Sequence, residues 1–336
     1  MTKIEKIWSN LESDTSIHSG LLYKRYASEV IPDAFIGLKS PEKLRCIAFR
    51  ISTKLWFNEN EWNKLKDIKI ESLPDEKDKT KIFLLILLLN KQLKDIFSTL
   101  CEDLIFGVSN DSSEQILVGK LLDRLAKWQS LFQKVGNQGL SEESQRGLFG
   151  EVFFLWKFLN NSMDKIYCLK SWLGPEKSIQ DFQHSNWALE VKTTHGNNHQ
   201  KIHISSERQL DDSLIEKIFL YHLSLDIRKG NGESLNALID DVTELLSDNI
   251  FASNIFKLKL LESGYYNINR PNYEESGYSI RQENLYWVKG DFPRLTEKQI
   301  PIGVGDVKYS IVLSESEEWR ISEIDLFTEL ESKNGK

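Results

Sequence analysis

The stretch from Ser178 to Thr194 constrains this chain more than any other: Ser178-Ile179-Gln180-Asp181-Phe182-Gln183-His184-Ser185-Asn186-Trp187-Ala188-Leu189-Glu190-Val191-Lys192-Thr193-Thr194. A strand over Trp187 to Thr194 places Trp187, Leu189 and Val191 on one face and Ala188, Glu190 and Lys192 on the other. An apolar row backed by a carboxylate and an ammonium about 7 Å apart costs desolvation energy unless the charges find partners, and a metal ion is one such partner. Asp181 precedes Glu190 by nine residues across a short polar turn, so a hairpin would set the two carboxylates side by side. Two carboxylates and an ammonium are what Mg²⁺-assisted phosphodiester hydrolysis needs. The acids hold a hard cation that keeps several waters, and the lysine steadies the attacking hydroxide or the charge developing on phosphorus.

Acid-x-Lys triplets also occur at Asp67-Lys69, Asp75-Lys77, Asp306-Lys308 and Glu331-Lys333. Only Glu190-Lys192 follows an Asp-Phe hairpin arm and lies in a Trp/Leu/Val strand. The wider pattern runs Gly147-Leu148-Phe149-Gly150-Glu151, then Trp172-Leu173-Gly174-Pro175, then Asp181-Phe182, then Leu189-Glu190-Val191-Lys192-Thr193-Thr194. It resembles the PD-(D/E)XK nuclease superfamily, to which many restriction endonucleases belong, and within it an uncharacterised bacterial family, over most of the chain. The proline of the superfamily's name is absent, since Gln180 precedes Asp181.

The helix opening at Ser141 has an N-cap serine, Glu142 and Glu143 in its first turn, and an apolar set from Leu148 to Leu159. Glu151 lies within that set. Gly147 and Gly150 each lower helix propensity by about 1 kcal/mol against alanine, which points to close approach by a backbone or a substrate. On the residues alone, Glu151 either faces solvent beside Lys157 or turns inward. The resemblance implies the second, because a glutamate on the first core helix of the superfamily often joins the metal site.

Before this helix, Ile4 to Leu11 reads as a helix, followed by a mixed segment from Gly20. Leu44 to Ser52, Ile68 to Leu73 and Ile82 to Leu89 read as strands, and the last is apolar enough to be fully buried. Lys91 to Val108 and Glu114 to Phe132 read as amphipathic helices. The polar segment Phe57 to Trp62 and the charged run Asp75 to Thr80 are connections, the latter a solvated turn. After Glu151 come a strand over Ile166 to Leu173, the Gly174-Pro175 turn, the Asp181 hairpin, a strand over Lys201 to Ser205, a capping-box turn at Ser206 to Gln209, and a strand over Ile218 to Ile227. A helix follows from Leu235 to Leu246, with a second reaching Glu262. Tyr265 to Asn267, Tyr278 to Arg281, Leu285 to Val288 and Val307 to Leu313 read as short strands.

The fold class expected is α/β (α+β). A restriction-endonuclease-like mixed sheet flanked by helices spans residues 139–263, after an N-terminal α+β module over 1–138 and before a β-rich C-terminal extension over 264–336. The 336 residues, 40% hydrophobic, bury a large core. No apolar run reaches about 18 residues and no signal-peptide pattern opens the chain, so the expectation is a cytoplasmic protein without a membrane span. Cys46, Cys101 and Cys168 are odd in number and scattered, which fits reduced core thiols and not a zinc site. A net charge of −7 argues against a non-specific nucleic-acid coat but leaves room for a local basic groove.

The functional expectation is a Mg²⁺-dependent DNA endonuclease, with Mn²⁺ able to substitute. Asp181, Glu190, Lys192 and Glu151 are the catalytic candidates. Asp181, Glu190, the Val191 carbonyl and Glu151, directly or through water, are the metal ligands. Lys201, His203, Arg208 and Gln209 are the DNA-contact candidates; His184, His195 and His199 lie in the same region and read as phosphate-contacting or surface groups. The resemblance implies a setting in prokaryotic restriction or phage defence, with operon-encoded protein partners and room for a homodimer. The alternative is a catalytically silent DNA-binding or scaffold subunit of such a system. RNA is a third substrate class, without a recognisable RNA-binding motif to favour it.

Overall fold

A computed structural model describes residues 3–14, 19–27, 33–55, 67–108, 113–134, 139–196 and 200–331. The chain divides into two units, Met1–Gly136 and Asn137–Lys336. Phe57 to Trp62 and His199 lie outside the described residues.

The first unit carries a five-stranded antiparallel sheet in the order β1-β2-β3-β5-β4, built from β1 (Gly20–Arg25), β2 (Ala34–Ser40), β3 (Leu44–Ser52), β4 (Ile68–Pro74) and β5 (Lys81–Leu88). The three strands expected are β3, β4 and β5. The segment read as mixed supplies β1 and β2, whose Leu-Leu-Tyr and Ala-Phe-Ile-Gly runs pair along their whole length. Burial of β5 from Phe83 to Leu88 fits an interior strand covered on both faces. Helix α1 (Lys3–Ser13) seats Ile4, Ile7 and Trp8 in the core, and the Trp8 indole donates to the Gly37 carbonyl at 3.0 Å. Helices α2 (Lys94–Val108) and α3 (Glu114–Lys134) follow. The Asp75 turn is not simply solvated: Asp75 is buried, accepting Arg50 Nε at 2.7 Å and its own turn's Lys77 amide at 2.9 Å.

The second unit is organised around a mixed sheet in the order β10-β11-β9-β7-β6. Its strands are β6 (Phe182–His184), β7 (Trp187–His195), β9 (Lys217–Lys229), β10 (Glu233–Ser234) and β11 (Ser276–Val288). Only β7 and β9 run parallel, with Glu190 opposite Leu220 and Lys192 opposite His222. Helix α4 (Glu142–Asn161) starts on Ser141, whose hydroxyl accepts the Ser144 amide, and packs on the face of β7 that carries Trp187, Leu189 and Val191. A ribbon of β8 (Lys201–Ile204) and β12 (Tyr309–Val312) covers the opposite face, where Ile202, Ile204 and Ile311 meet Ala188, Ile218 and Leu220. Both faces of β7 and β9 are thus covered, which accounts for the nearly unbroken apolar run of β9.

Three elements differ from the sequence reading. Residues 165–171 form helix α5 (Lys165–Ser171), not a strand. The Asp164 carboxylate caps it by accepting the Tyr167 amide at 3.0 Å, and in so short an apolar run that cap outweighs the β-propensity of Ile166 and Tyr167. Tyr278 to Val288 is one strand, not two: β11 continues through a register shift between Ile280 and Gln282 and pairs with β9 over its length. The segment expected as a C-terminal extension therefore contributes an inner strand of the sheet that carries Glu190. Helices α6 (Leu235–Leu245) and α7 (Ile250–Glu262) match the helical reading, and α8 (Glu323–Glu331) closes the described chain. Tyr265 to Asn267 is not a strand but leads into a 3-10 turn over Asn267–Tyr273. Among the described residues, no helix is long and apolar enough to cross a membrane.

Candidate active site

The hairpin that positions the acids is tight. His184 faces Trp187 across the two-residue turn Ser185-Asn186, with Ser185 at positive φ, and Phe182 faces Leu189. Pairing stops there, so Asp181 falls beside Glu190 at the point where the β6 edge of β7 becomes free. The Asp181 Oδ2 atom accepts the Val191 amide at 2.8 Å. Its backbone carbonyl accepts the amides of Leu173 at 2.7 Å and Gly174 at 2.9 Å. Because N–H and C=O of one strand residue point to the same side, the Val191 carbonyl faces the same free edge.

Glu151 reaches the cluster from α4. Its Oε2 atom accepts the Trp172 indole N–H at 2.7 Å. Gly174 is required here: a Cβ on it would sit 2.2 Å from Glu151 Oε2 and 3.2 Å from Asp181 Oδ1, so the point is shared by both carboxyl groups. The helix can come this close because Gly150 faces β7 directly, where a Cβ would meet Thr193 Cγ2 at 2.4 Å. Gly147 meets nothing within 4 Å, so the close approach expected of both glycines holds for Gly150 alone. Gly150→Ala should destabilise the protein by about 1–3 kcal/mol through overpacking. Gly147→Ala should stabilise it by up to about 1 kcal/mol through helix propensity. Thermal denaturation of the two variants checks the opposite signs, and equal shifts would contradict this packing.

Among the described residues, Glu190 is the most deeply buried acid, 1% exposed. Its Oε1 atom accepts Lys192 Nζ at 2.6 Å and Gln209 Nε2 at 2.7 Å. Its Oε2 atom is buried without a well-formed hydrogen bond. Burial pushes the Glu190 carboxyl up to about 8; the Asp181 charge adds to this, and Lys192 opposes it. Glu151 is raised well above the usual carboxylate range by burial and then by Asp181. Asp181 is raised by burial against the opposing pull of Lys192 and the Val191 amide. Burial alone would lower the Lys192 ammonium, but the surrounding acids, Glu190 first, hold it above its ordinary value.

Asp181, Glu190, Glu151 and Lys192 therefore converge, as the sequence predicts. As they stand they do not form a ready cage: among the described residues, no three His, Cys, Asp or Glu side chains are placed to hold one ion together. In this arrangement Lys192 and Gln209 occupy Glu190 Oε1, Trp172 occupies Glu151 Oε2, and the Val191 amide occupies Asp181 Oδ2. The donor set nevertheless suits a hard divalent cation, being oxygen-only, acidic and furnished with one buried carboxylate oxygen that has no well-formed hydrogen bond.

The DNA-contact candidates separate. Lys201 and His203 lie on the outer side of β8, exposed, with His203 Nδ1 2.9 Å from Ser310 Oγ. The Arg208 side chain is exposed and paired with Glu297 at 2.5 Å. Gln209 instead turns into the acid cluster. The expected capping box does not form: Ser206 Oγ accepts the Arg208 amide at 3.3 Å and not that of Gln209, and the Gln209 side chain does not return to Ser206. The sequence alone assigns no role to Trp172, which lies in the motif, nor to Gln180, buried immediately before Asp181. A tryptophan indole needs a hydrogen-bond partner when buried, and that was the available signal for Trp172.

Neither a curated protein nor a solved structure matches the chain. A family model described as "Putative PD-(D/E)XK family member, (DUF4420)" matches residues 4–314, nearly the whole length, and the chain belongs to that family.

Proposed function

We propose that this chain is a metal-dependent nuclease that hydrolyses DNA phosphodiester bonds. The observation that carries this reading is the convergence of Asp181, Glu151 and Glu190 on Lys192, with Glu190 Oε2 buried and without a well-formed hydrogen bond. An acid held in that state is costly in the free protein and is compensated when a cation arrives. Asp181, Glu190 and the Val191 carbonyl would hold Mg²⁺ or Mn²⁺, with Glu151 contributing directly or through water. When bound, the ion supplies a polarising charge at the phosphate and makes a nearby water more acidic. Lys192 keeps its proton beside Glu190 and offers the ammonium to the attacking oxygen and to charge developing on the phosphoryl group. Trp172 holds Glu151, and the Leu173-Gly174 amides hold the Asp181 backbone, so neither acid has to be ordered at the moment of reaction.

The substrate assignment to DNA rests on the family; the defence setting, operon-encoded partners and a homodimer are proposed with it. A second reading, a DNA-binding scaffold subunit without cleavage, draws on the Lys192–Glu190 pair, which occupies one of the oxygens a ligand set would use. Plasmid incubation with and without Mg²⁺, for the protein alone and with its operon partners, separates the two: Mg²⁺-dependent nicking supports the nuclease. Metal-independent inertness of every combination, with DNA retained on the protein, supports the scaffold.

A chain of net charge −7 should bind DNA weakly alone. The expected slope of log affinity against log salt is shallow, about −2 to −3, since few phosphates are neutralised. Tight binding with a steep slope by the isolated chain would contradict this and place recognition within it.

A further inference from the structure

We infer that Gln209 is a positioning residue of the acid–lysine cluster, delivered by a turn that is locked to the Asp181 arm. This rests on the nuclease reading for its catalytic consequence, but not for its geometry.

The Gln209 amide has one orientation available. Its Oε1 atom lies 3.2 Å from Lys192 Nζ and 2.9 Å from the Ser205 amide, both of which can only donate. Its Nε2 atom lies 2.7 Å from Glu190 Oε1, an acceptor when ionised. A flipped amide would set donor against donor at two contacts. Gln209 thus holds Glu190 and Lys192 from a third point, and it fixes which Glu190 oxygen is consumed. Oε1 takes both the ammonium and the amide, and Oε2 is left without a well-formed hydrogen bond. A glutamine is suited to this because it adds a donor and an acceptor without adding charge to a cluster that already holds three acids.

The turn that carries Gln209 is tied down on several sides. Buried Gln180 donates from one Nε2 to the carbonyls of Arg208 and Gln209 at 3.1 and 3.3 Å. Gln180 directly precedes Asp181, so the arm that brings the first acid also seats the group that orders the second. From the C-terminal side, Arg294 donates to the Leu210 carbonyl at 2.8 Å, and the Val307 amide donates to buried Glu207 at 2.9 Å. This is more fixation than an exposed turn needs, and groups that orient ligating carboxylates are worth about 10- to 100-fold in metal affinity or activity when lost.

The test uses Gln209→Met, which keeps the shape and loses all three contacts, and Gln209→Glu, which keeps the acceptor and loses the donor. Mn²⁺ titration by calorimetry, plasmid cleavage and thermal melting are measured on the full chain. For Gln209→Met the expected result is about tenfold weaker Mn²⁺ binding together with 10- to 100-fold slower cleavage. For Gln209→Glu, Mn²⁺ binding is held or tightened by the added carboxylate while cleavage still falls at least about tenfold. That split between metal and cleavage is what a merely structural residue cannot give. Parent-like Mn²⁺ binding and cleavage in both variants, or losses in both that simply follow a lowered melting temperature, would overturn the inference. If the parent cleaves nothing yet the Mn²⁺ affinities separate as stated, the positioning role stands and the nuclease reading falls. If the parent binds no Mn²⁺ either, both fall.

Discussion

Lys192→Ala is expected to lower DNA cleavage by about 10³-fold while leaving the cation bound as well as in the parent, or better. The ammonium is not a ligand, and in the free protein it sits 2.6 Å from Glu190 Oε1, where it competes with a metal for that oxygen. Its removal forfeits stabilisation of charge in the transition state, for which losses of about 10²- to 10³-fold per group are usual. Asp181→Ala should differ by losing both cleavage and cation binding, since it removes a proposed ligand together with the contact that fixes the Val191 edge. Calorimetric Mn²⁺ titration beside plasmid cleavage distinguishes the two variants. A melting control is needed, because removing the lysine leaves buried carboxylates uncompensated. Parent-like cleavage by both variants, with unchanged melting, would make this stretch structural and leave the scaffold reading in its place.

The second large effect is on stability. Without metal, the protein should become less stable as pH rises from about 5 to about 8. The folded-state pKa of Glu190, about 8, lies above that of an unfolded glutamate, about 4.3. Its stabilising neutral form is therefore fully available only below the lower value, and the contribution is lost as pH climbs through the higher one. Glu151 and Asp181 are displaced in the same direction and reinforce the trend. Lys192 is raised and remains charged throughout this window, so its contribution persists. Glu190→Gln keeps an oxygen for Lys192 and Gln209 without the titration. It should flatten the profile and make the metal-free protein more stable at pH 8 by a few kcal/mol, on the order of what such a displacement is worth. Melting curves at pH 5, 6.5 and 8 in chelator decide this, with added Mg²⁺ expected to rescue the parent at pH 8 but not the variant. A parent profile that is flat in chelator would sink the prediction.

The central hairpin is legible in the sequence because its chemistry and its period coincide. Trp187, Leu189 and Val191 alternate with Ala188, Glu190 and Lys192, and a one-residue slip would put Glu190 among the aromatic side chains of α4. Strand β9 is legible for a related reason, being apolar on both faces. Helix α5 is not, since seven residues of mixed propensity are decided by a single cap on Asp164 and by packing. Gln209 was visible as a polar residue in a turn, and nothing local distinguishes a glutamine that faces solvent from one that faces Glu190. Its direction depends on Gln180 and Arg294, 29 and 85 positions away in the chain, which no periodicity encodes. The Glu151–Trp172 bond has the same character: both residues belong to one motif, but their meeting requires α4, α5 and the Gly174 turn to be in place together.

The pairing of β11 with β9 sets an order of events during synthesis. The strands bearing Asp181, Glu190 and Lys192 leave the ribosome well before Ser276–Val288, the strand that closes the other side of β9. Arg294 and Val307, which lock the turn beneath Glu190, come later still. The first unit, Met1–Gly136, holds its own sheet and can fold while the rest is being made. The acids of the second unit repel one another when brought together and gain full support only once the final strands have docked. A nascent chain truncated before residue 276 would carry every residue of the motif without the frame that aligns them, so, on the nuclease reading, an incompletely made chain would not cut the DNA of the cell producing it.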